Sequence, residues 1–247
     1  MTHERGLTKG FGISSRSGVY SGRKDPLVVA QGLKVSSSKS PRKICPALMT
    51  VTASYPSTIA LVEYPHPALR RRATEVTVFD ESLRAFCSRM FDVMEEHSGV
   101  GLAAPQVAVS ARIFVTDHTR KKQDDDATNQ PSDRRVWINP RIECTEGSTT
   151  YEEGCLSFPG IYAKVQRHNR FDIVAQNEYG VERRLSLDVE AGDFLGIVVQ
   201  HELDHLLGIV FVDHLTPTQL TMCRRKLIEL EKFFKKATGS AGSVLRR

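Results

Sequence analysis

The sequence predicts an α+β fold: antiparallel β-strands around a buried central helix that carries a His-Glu-x-x-His pattern, with flanking N- and C-terminal helices. Three observations predict it. Phe194–Leu207 is apolar almost all round, the pattern of a helix buried on every side. Phe79–His97 and Pro217–Lys236 repeat apolar residues at spacings of three and four, as amphipathic helices do. Between these helices lie short β-branched runs punctuated by turn residues, which read as strands.

The 247 residues, 40% apolar and 26% charged, suffice for a sizeable core. No run approaches the roughly 18 apolar residues of a membrane span, so no membrane role is expected. Collagen, a coiled-coil rod and a wholly disordered chain are excluded by the same composition. Five cysteines, at 45, 87, 144, 155 and 223, are few, odd in number and irregularly spaced. A reducing compartment is expected, with any special Cys acting as ligand or nucleophile.

Residues 1–58 carry nine Lys/Arg against two acids, a net +7, which leaves −2 for the rest of the chain. The body therefore offers no basic excess for gripping nucleic acid. Arg- and Ser-rich with few acids and no apolar h-region, 1–58 has the composition of an organellar transit peptide and is expected to be disordered. A tail without an address, or a basic arm contacting RNA, are the weaker readings. Ordered structure is expected over 59–236 and a disordered tail over 237–247.

In order, Asp80 is the expected N-cap of the first helix, whose core face is Leu83, Phe86, Cys87, Met90, Phe91 and Met94, stopped by Gly99 and Gly101. Arg112–Asp117 is a strand. Thr119–Arg135 is wholly polar and reads as a solvated hairpin loop, its Asp124–Asp126 run a solvated face rather than a metal site. Strands follow at Val136–Ile138, Ile142–Cys144, Ile161–Val165, Phe171–Gln176 and Arg183–Leu187, with a turn at Asn177–Gly180. Gly208 stops the buried helix. The last helix ends in Lys235-Lys236, as the helix dipole prefers.

The chemistry starts with His201-Glu202-Leu203-Asp204-His205. Imidazoles at i and i+4 share one helix face and can reach one metal ion, with Glu202 placed to move a proton of a water beside it. Chance supplies this pattern in roughly two unrelated chains in a hundred. Here it interrupts an otherwise apolar helix, where uncompensated polar groups are costly. A third ligand is not obvious from this motif. Phe211 occupies the position of the third His of metzincins, and Glu229 and Glu231 read as surface partners of Lys226 and Lys235. Two other stretches are weaker alone: Glu153-Gly154-Cys155-Leu156-Ser157, and Gly99-Val100-Gly101-Leu102-Ala103-Ala104-Pro105-Gln106. The second is not a phosphate loop, since its Gly spacing differs and no Lys-Ser/Thr follows.

Together and in this order, the three motifs resemble those of peptide deformylases: Gly-x-Gly-Leu-x-Ala-x-Gln, Glu-Gly-Cys-Leu-Ser and His-Glu-x-x-His. The resemblance runs from about Val62 to Leu215. Glu153–Val165 is most similar to organellar, plant-like members. It implies that Cys155, His201 and His205 hold one divalent metal ion, usually Fe(II), with Ni, Co or Zn as alternatives. It implies hydrolytic removal of the formyl group from N-formylmethionine of nascent polypeptides. Glu202 would take the proton of the attacking water and pass it to the departing amine. Gln106 and the Leu156 N–H would stabilise the developing oxyanion. Gly101 would let the substrate backbone approach, and Val100 and Tyr162 would contact substrate. Glu153 would anchor a ligand rather than catalyse. Transient ribosome association and a mitochondrial or plastid location follow as expectations. The alternatives are a zinc endopeptidase on the same helix motif, and a non-catalytic relative that binds ribosome or nascent chain.

Overall fold

The computed structural model describes residues 54–118, 132–243 and 245. The expectations for residues 1–53 and for the insert 119–131 lie outside these. Asp80 starts helix α1, Glu81–Glu96, by accepting a hydrogen bond from the Leu83 N–H, which satisfies one of the donors a helix start leaves open. Strands β1 (Gly101–Ala103), β2 (Ile113–Thr116), β3 (Arg135–Gly154), β4 (Tyr162–Gln176) and β5 (Glu182–Asp188) form one antiparallel sheet in chain order. Helix α2, Phe194–Leu207, and helix α3, Pro217–Thr238, complete the chain. Thr116 pairs with Arg135, so β2 and β3 flank the insert as the arms of a hairpin.

The strand pairs expected separately prove to be single long strands. Val136–Ile138 and Ile142–Cys144 both lie in β3, and Ile161–Val165 and Phe171–Gln176 fall within or abut β4. The sequence alternation breaks because β3 is bulged. Its register against β4 shifts between Ile138 and Arg141 and again between Glu143 and Glu146, and Asn139 and Cys144 take φ of +50° and +52°. A bulge inserts an unpaired residue and resets which face a side chain meets. Asn139 offsets the local strain by bonding both the N–H and the carbonyl of Val76, at 2.9 and 2.8 Å. β1, which starts at one of the glycines expected to stop α1, is an edge strand because it finds β2 as a partner.

Helix α2 lies against the sheet. Leu195, Val199 and Leu206 pack with Ala103, Phe114, Trp137, Phe171 and Ile173, each worth about 2 kcal/mol in apolar area removed from water. Gly196 is a poor helix former, yet a Cβ there would lie 2.7 Å from Val189 Cγ2. The helix approaches the β5 connection too closely for a side chain. Gly208 ends α2 at φ +74°, with Arg70 O only 2.7 Å from a would-be Cβ.

Both boundaries differ from expectation. Ordered packing begins before Ile59, since Tyr55 stacks on Phe86 at 4.7 Å between ring centroids. Beyond Ala237, two of the described residues are tied to the body. The Ser243 N–H donates to Pro65 O at 2.8 Å, and the Leu245 N–H donates to the Tyr64 hydroxyl at 3.0 Å. Backbone donors that find buried acceptors outweigh the weak local pattern that made this segment read as a tail. Among the described residues no helix is long and apolar enough to cross a membrane.

Candidate active site

The helix repeat brings His201 and His205 onto one side of α2, with ring centroids 5.1 Å apart. Cys155 comes from a distant place in the sequence, the turn that follows β3. Its Sγ lies 3.3 Å from His205 Nε2. One ligand atom from each of Cys155, His201 and His205 fits within a mutual distance of 4.8 Å. Ligands at the usual Zn–S and Zn–N distances around a tetrahedral ion stand about 3.5 Å apart, so one sulfur and two imidazole nitrogens so placed suit a divalent transition metal.

The ligands are themselves held. His201 Nδ1 donates to Glu153 Oε2 at 2.9 Å, which orients the ring and leaves Nε2 for the metal side. Glu153 is clamped by Arg167, with Nε to Oε1 at 2.7 Å and a second guanidinium nitrogen to Oε2 at 2.9 Å. Arg167 also donates to Asp204 Oδ2 at 2.6 Å, and His214 Nε2 lies 2.8 Å from the same oxygen. Burial works against the Glu153 carboxylate, but Arg167 and His201 outweigh it and hold its pKa at about 2. Asp204 is likewise held low against burial by His214 and Arg167. Burial, reinforced by His201, pushes His205 well below its usual pKa, toward the neutral imidazole that a metal ligand must be. At His201 burial acts the same way, but the adjoining Cys155 and Glu153 reverse it and favour positive charge. The pocket around that ring is therefore one that stabilises a cation.

Glu202 is buried, and its Oε2 has no hydrogen-bond partner. Burial is the main reason its pKa rises to about 7, a value suited to moving protons near neutrality. Gly101 stands against it: a Cβ there would be 2.5 Å from Glu202 Oε1 and 2.8 Å from Val198 Cγ1. Gln106, on a 3-10 turn, accepts from the Ala103 N–H through Oε1 at 2.8 Å, and its Nε2 lies 3.6 Å from Cys155 Sγ. These groups line one cleft of about 840 Å³, with Val100, Leu156, Ile197, Val198 and Tyr162. Tyr162 is 69% exposed at the rim. Gly154 makes room for it, since a Cβ would sit 2.6 Å from the tyrosine ring.

Of the ten residues given roles in the sequence, nine line this cleft, and His205 stands next to it, against Cys155. Glu229 and Glu231 stay rejected as ligands, but both have partners other than the expected lysines. Glu229 pairs with Arg225 at 3.3 Å, not with Lys226, which donates to Gly160 O. Glu231 is not a surface partner of Lys235. It is half-buried and accepts from the Tyr64 hydroxyl at 2.7 Å, because it lies near Leu227 on the packed side of α3. Phe211 is buried and packs beside His201, 6.1 Å between centroids. Sequence reasoning noted Asp204 only as part of the motif, set His214 aside as a ligand out of step with it, and gave Arg167 no role. A signal existed for Arg167, which occupies an inward position of β4 between buried Val165 and Phe171.

A profile of the polypeptide deformylase family matches residues 59–221. The chain belongs to that family. It is 43% identical over 172 residues to a peptide deformylase of Neisseria meningitidis, covering 70% of this chain and 95% of that one. It is 37% identical over 182 residues to the chloroplastic peptide deformylase 1B of Oryza sativa, covering 73% and 64%. The crystal structure of Arabidopsis thaliana peptide deformylase 1B in complex with an inhibitor superposes with a TM-score of 0.67 at 35% identity, covering 76% and 98%. Family membership agrees with the site: the three motifs that carry the resemblance are the three segments that meet at the cleft.

Proposed function

We propose that this chain is a metal-dependent hydrolase that removes the formyl group from N-formylmethionine of nascent polypeptides. The observation that carries the reading is the convergence of Cys155, His201 and His205 beside a buried glutamate with an unpartnered oxygen. Cys155, His201 and His205 are the residues that would hold the ion, and Fe(II) is the metal proposed, with Ni, Co or Zn as substitutes. A divalent ion bound there lowers the pKa of water toward neutrality and polarises the formyl oxygen.

The chain's own groups do the rest. Gly101 leaves space for the substrate backbone next to Glu202, and β1 offers an open edge for an extended peptide to pair with. Val100, Leu156 and the apolar wall of α2 receive the methionine side chain, and Tyr162 closes the rim. Glu202, near-neutral in pKa, takes the proton of the attacking water and delivers it to the departing amine nitrogen. The Gln106 Nε2 and the Leu156 N–H donate to the formyl oxygen as negative charge grows on it. The burial of α2 among antiparallel strands supports the expected arrangement in which the central helix supplies the reacting groups.

A plastid or mitochondrial location is proposed from the basic, Ser-rich composition of 1–58 and from the chloroplastic relative. Transient ribosome association follows from the substrate. The test is anaerobic formate release from a formyl-Met peptide by the Fe(II)- or Ni-loaded enzyme. Release should be rapid and should vanish in Glu202→Ala. No release from protein with stoichiometric metal would refute the reading and return the endopeptidase and binding-protein alternatives.

A further inference from the structure

We propose that Ser157 is a positioning residue for Gln106, fixing the direction of the single amide hydrogen that faces the reacting centre. The inference rests on the deformylase reading and goes beyond it, since Ser157 has no role there. The Gln106 carboxamide oxygen accepts from the Ala103 N–H at 2.8 Å. That bond settles which end of the amide is which. Nε2 must point the other way, where it has two neighbours: Ser157 Oγ at 3.3 Å and Cys155 Sγ at 3.6 Å. The nitrogen carries two hydrogens in one plane. Ser157 Oγ takes one, and the other is left on the Cys155 side, where the formyl oxygen must come.

Ser157 is a fixed acceptor. It is fully buried and Gln106 is 1% exposed, so bulk water does not compete for the bond. Its carbonyl accepts from the Tyr64 N–H at 2.8 Å, and the next residue, Phe158, closes a turn onto Cys155 O at 2.9 Å. Phe158 in turn stacks on Tyr64 at 4.9 Å. Without the serine oxygen the amide keeps one anchor and can pivot about the bond to Ala103. A misdirected donor matters most when charge develops on the substrate oxygen, so the loss should fall on kcat and not on KM.

The test is a double-mutant cycle on the Ni-loaded enzyme with a formyl-Met tripeptide, using Ser157→Ala, Gln106→Ala and the double variant. Ser157→Ala should lower kcat about tenfold with KM within about twofold, the size expected for one buried hydrogen bond. In the Gln106→Ala background the same change should cost less than about twofold. Equal losses in both backgrounds would show a general structural effect and overturn the proposal, as would an unchanged kcat. A second readout needs neither turnover nor a folded variant. In ¹H–¹⁵N spectra of the Zn-loaded wild-type protein, the Gln106 side-chain amide should show two resolved hydrogens, one slow to exchange with solvent. Rapid exchange of both would overturn it. A wild-type enzyme that releases no formate would fail the deformylase reading itself, while the spectrum would still decide the geometry.

Discussion

Replacing Arg167 by Met isolates what the buried charge network contributes. The side chains of Arg167 and Glu153 are 5% and 4% exposed, and that of Asp204 is 15% exposed. The variant loses the hydrogen bonds of 2.7, 2.9 and 2.6 Å and leaves two carboxylates without their cation. Removing one partner of a buried pair typically costs about 3–5 kcal/mol. The fall of the Glu153 pKa from 4.5 to about 2, caused by Arg167 and His201 together, corresponds to about 3 kcal/mol at 1.36 kcal/mol per unit, of which the variant loses only the part that Arg167 supplies. The sign also fixes the pH window. A depressed carboxylate pKa stabilises the fold above the unfolded value, and that stability is lost as pH falls from about 4.5 to about 2. Urea unfolding at pH 7, followed by the fluorescence of the single Trp137, should therefore show Arg167→Met less stable by about 3–5 kcal/mol. The double variant Arg167→Met/Glu153→Gln should recover part of that loss, because it buries one fewer unpaired charge. Metal affinity in Arg167→Met should fall about 10–100-fold, since Glu153, no longer clamped by Arg167, orients His201 less firmly. A single variant within about 1 kcal/mol of wild type, with metal bound as tightly, would refute the reasoning.

Cys155→Ala should leave a folded chain that no longer retains stoichiometric metal after desalting, read by atomic absorption; full retention would remove Cys155 from the ligand set. Gly101→Ala places a methyl 2.5 Å from Glu202 Oε1 and should cut kcat about 100-fold with metal retained; unchanged kcat would show that the cleft has room to give. Gly196→Ala sets about 1 kcal/mol of gained helix propensity against a contact of 2.7 Å with Val189, and thermal melts should show a net loss of about 1 kcal/mol. A higher Tm would mean that the helix–sheet spacing relaxes freely. Activity should rise with pH on an acid limb as Glu202 loses its proton, with a midpoint at or below about 7, because a bound cation lowers it further. A limb absent from wild type, or one that persists in Glu202→Gln, would detach the proton transfer from Glu202.

The sequence by itself determined what local periodicity and local chemistry can encode. Asp80 and Gly208 bound their helices because capping needs only neighbouring residues. His201 and His205 share a face because 3.6 residues make a turn, and Glu202 is marked by its place beside them. The three motifs were legible as segments, and their joint order carried the family. Only the tertiary structure decided how the segments meet. β3 runs through two bulges, which the alternation rule reads as strand ends, because its continuity comes from pairing with β4 across the chain. The network from His214 through Asp204, Arg167 and Glu153 to His201 joins residues 10 to 48 positions apart, so no local pattern contains it. The closing of the C-terminal segment onto Tyr64 and Pro65 is of the same kind. A hydrogen bond between distant residues leaves no period in the sequence. It is chosen by which donors and acceptors the packed core leaves facing each other.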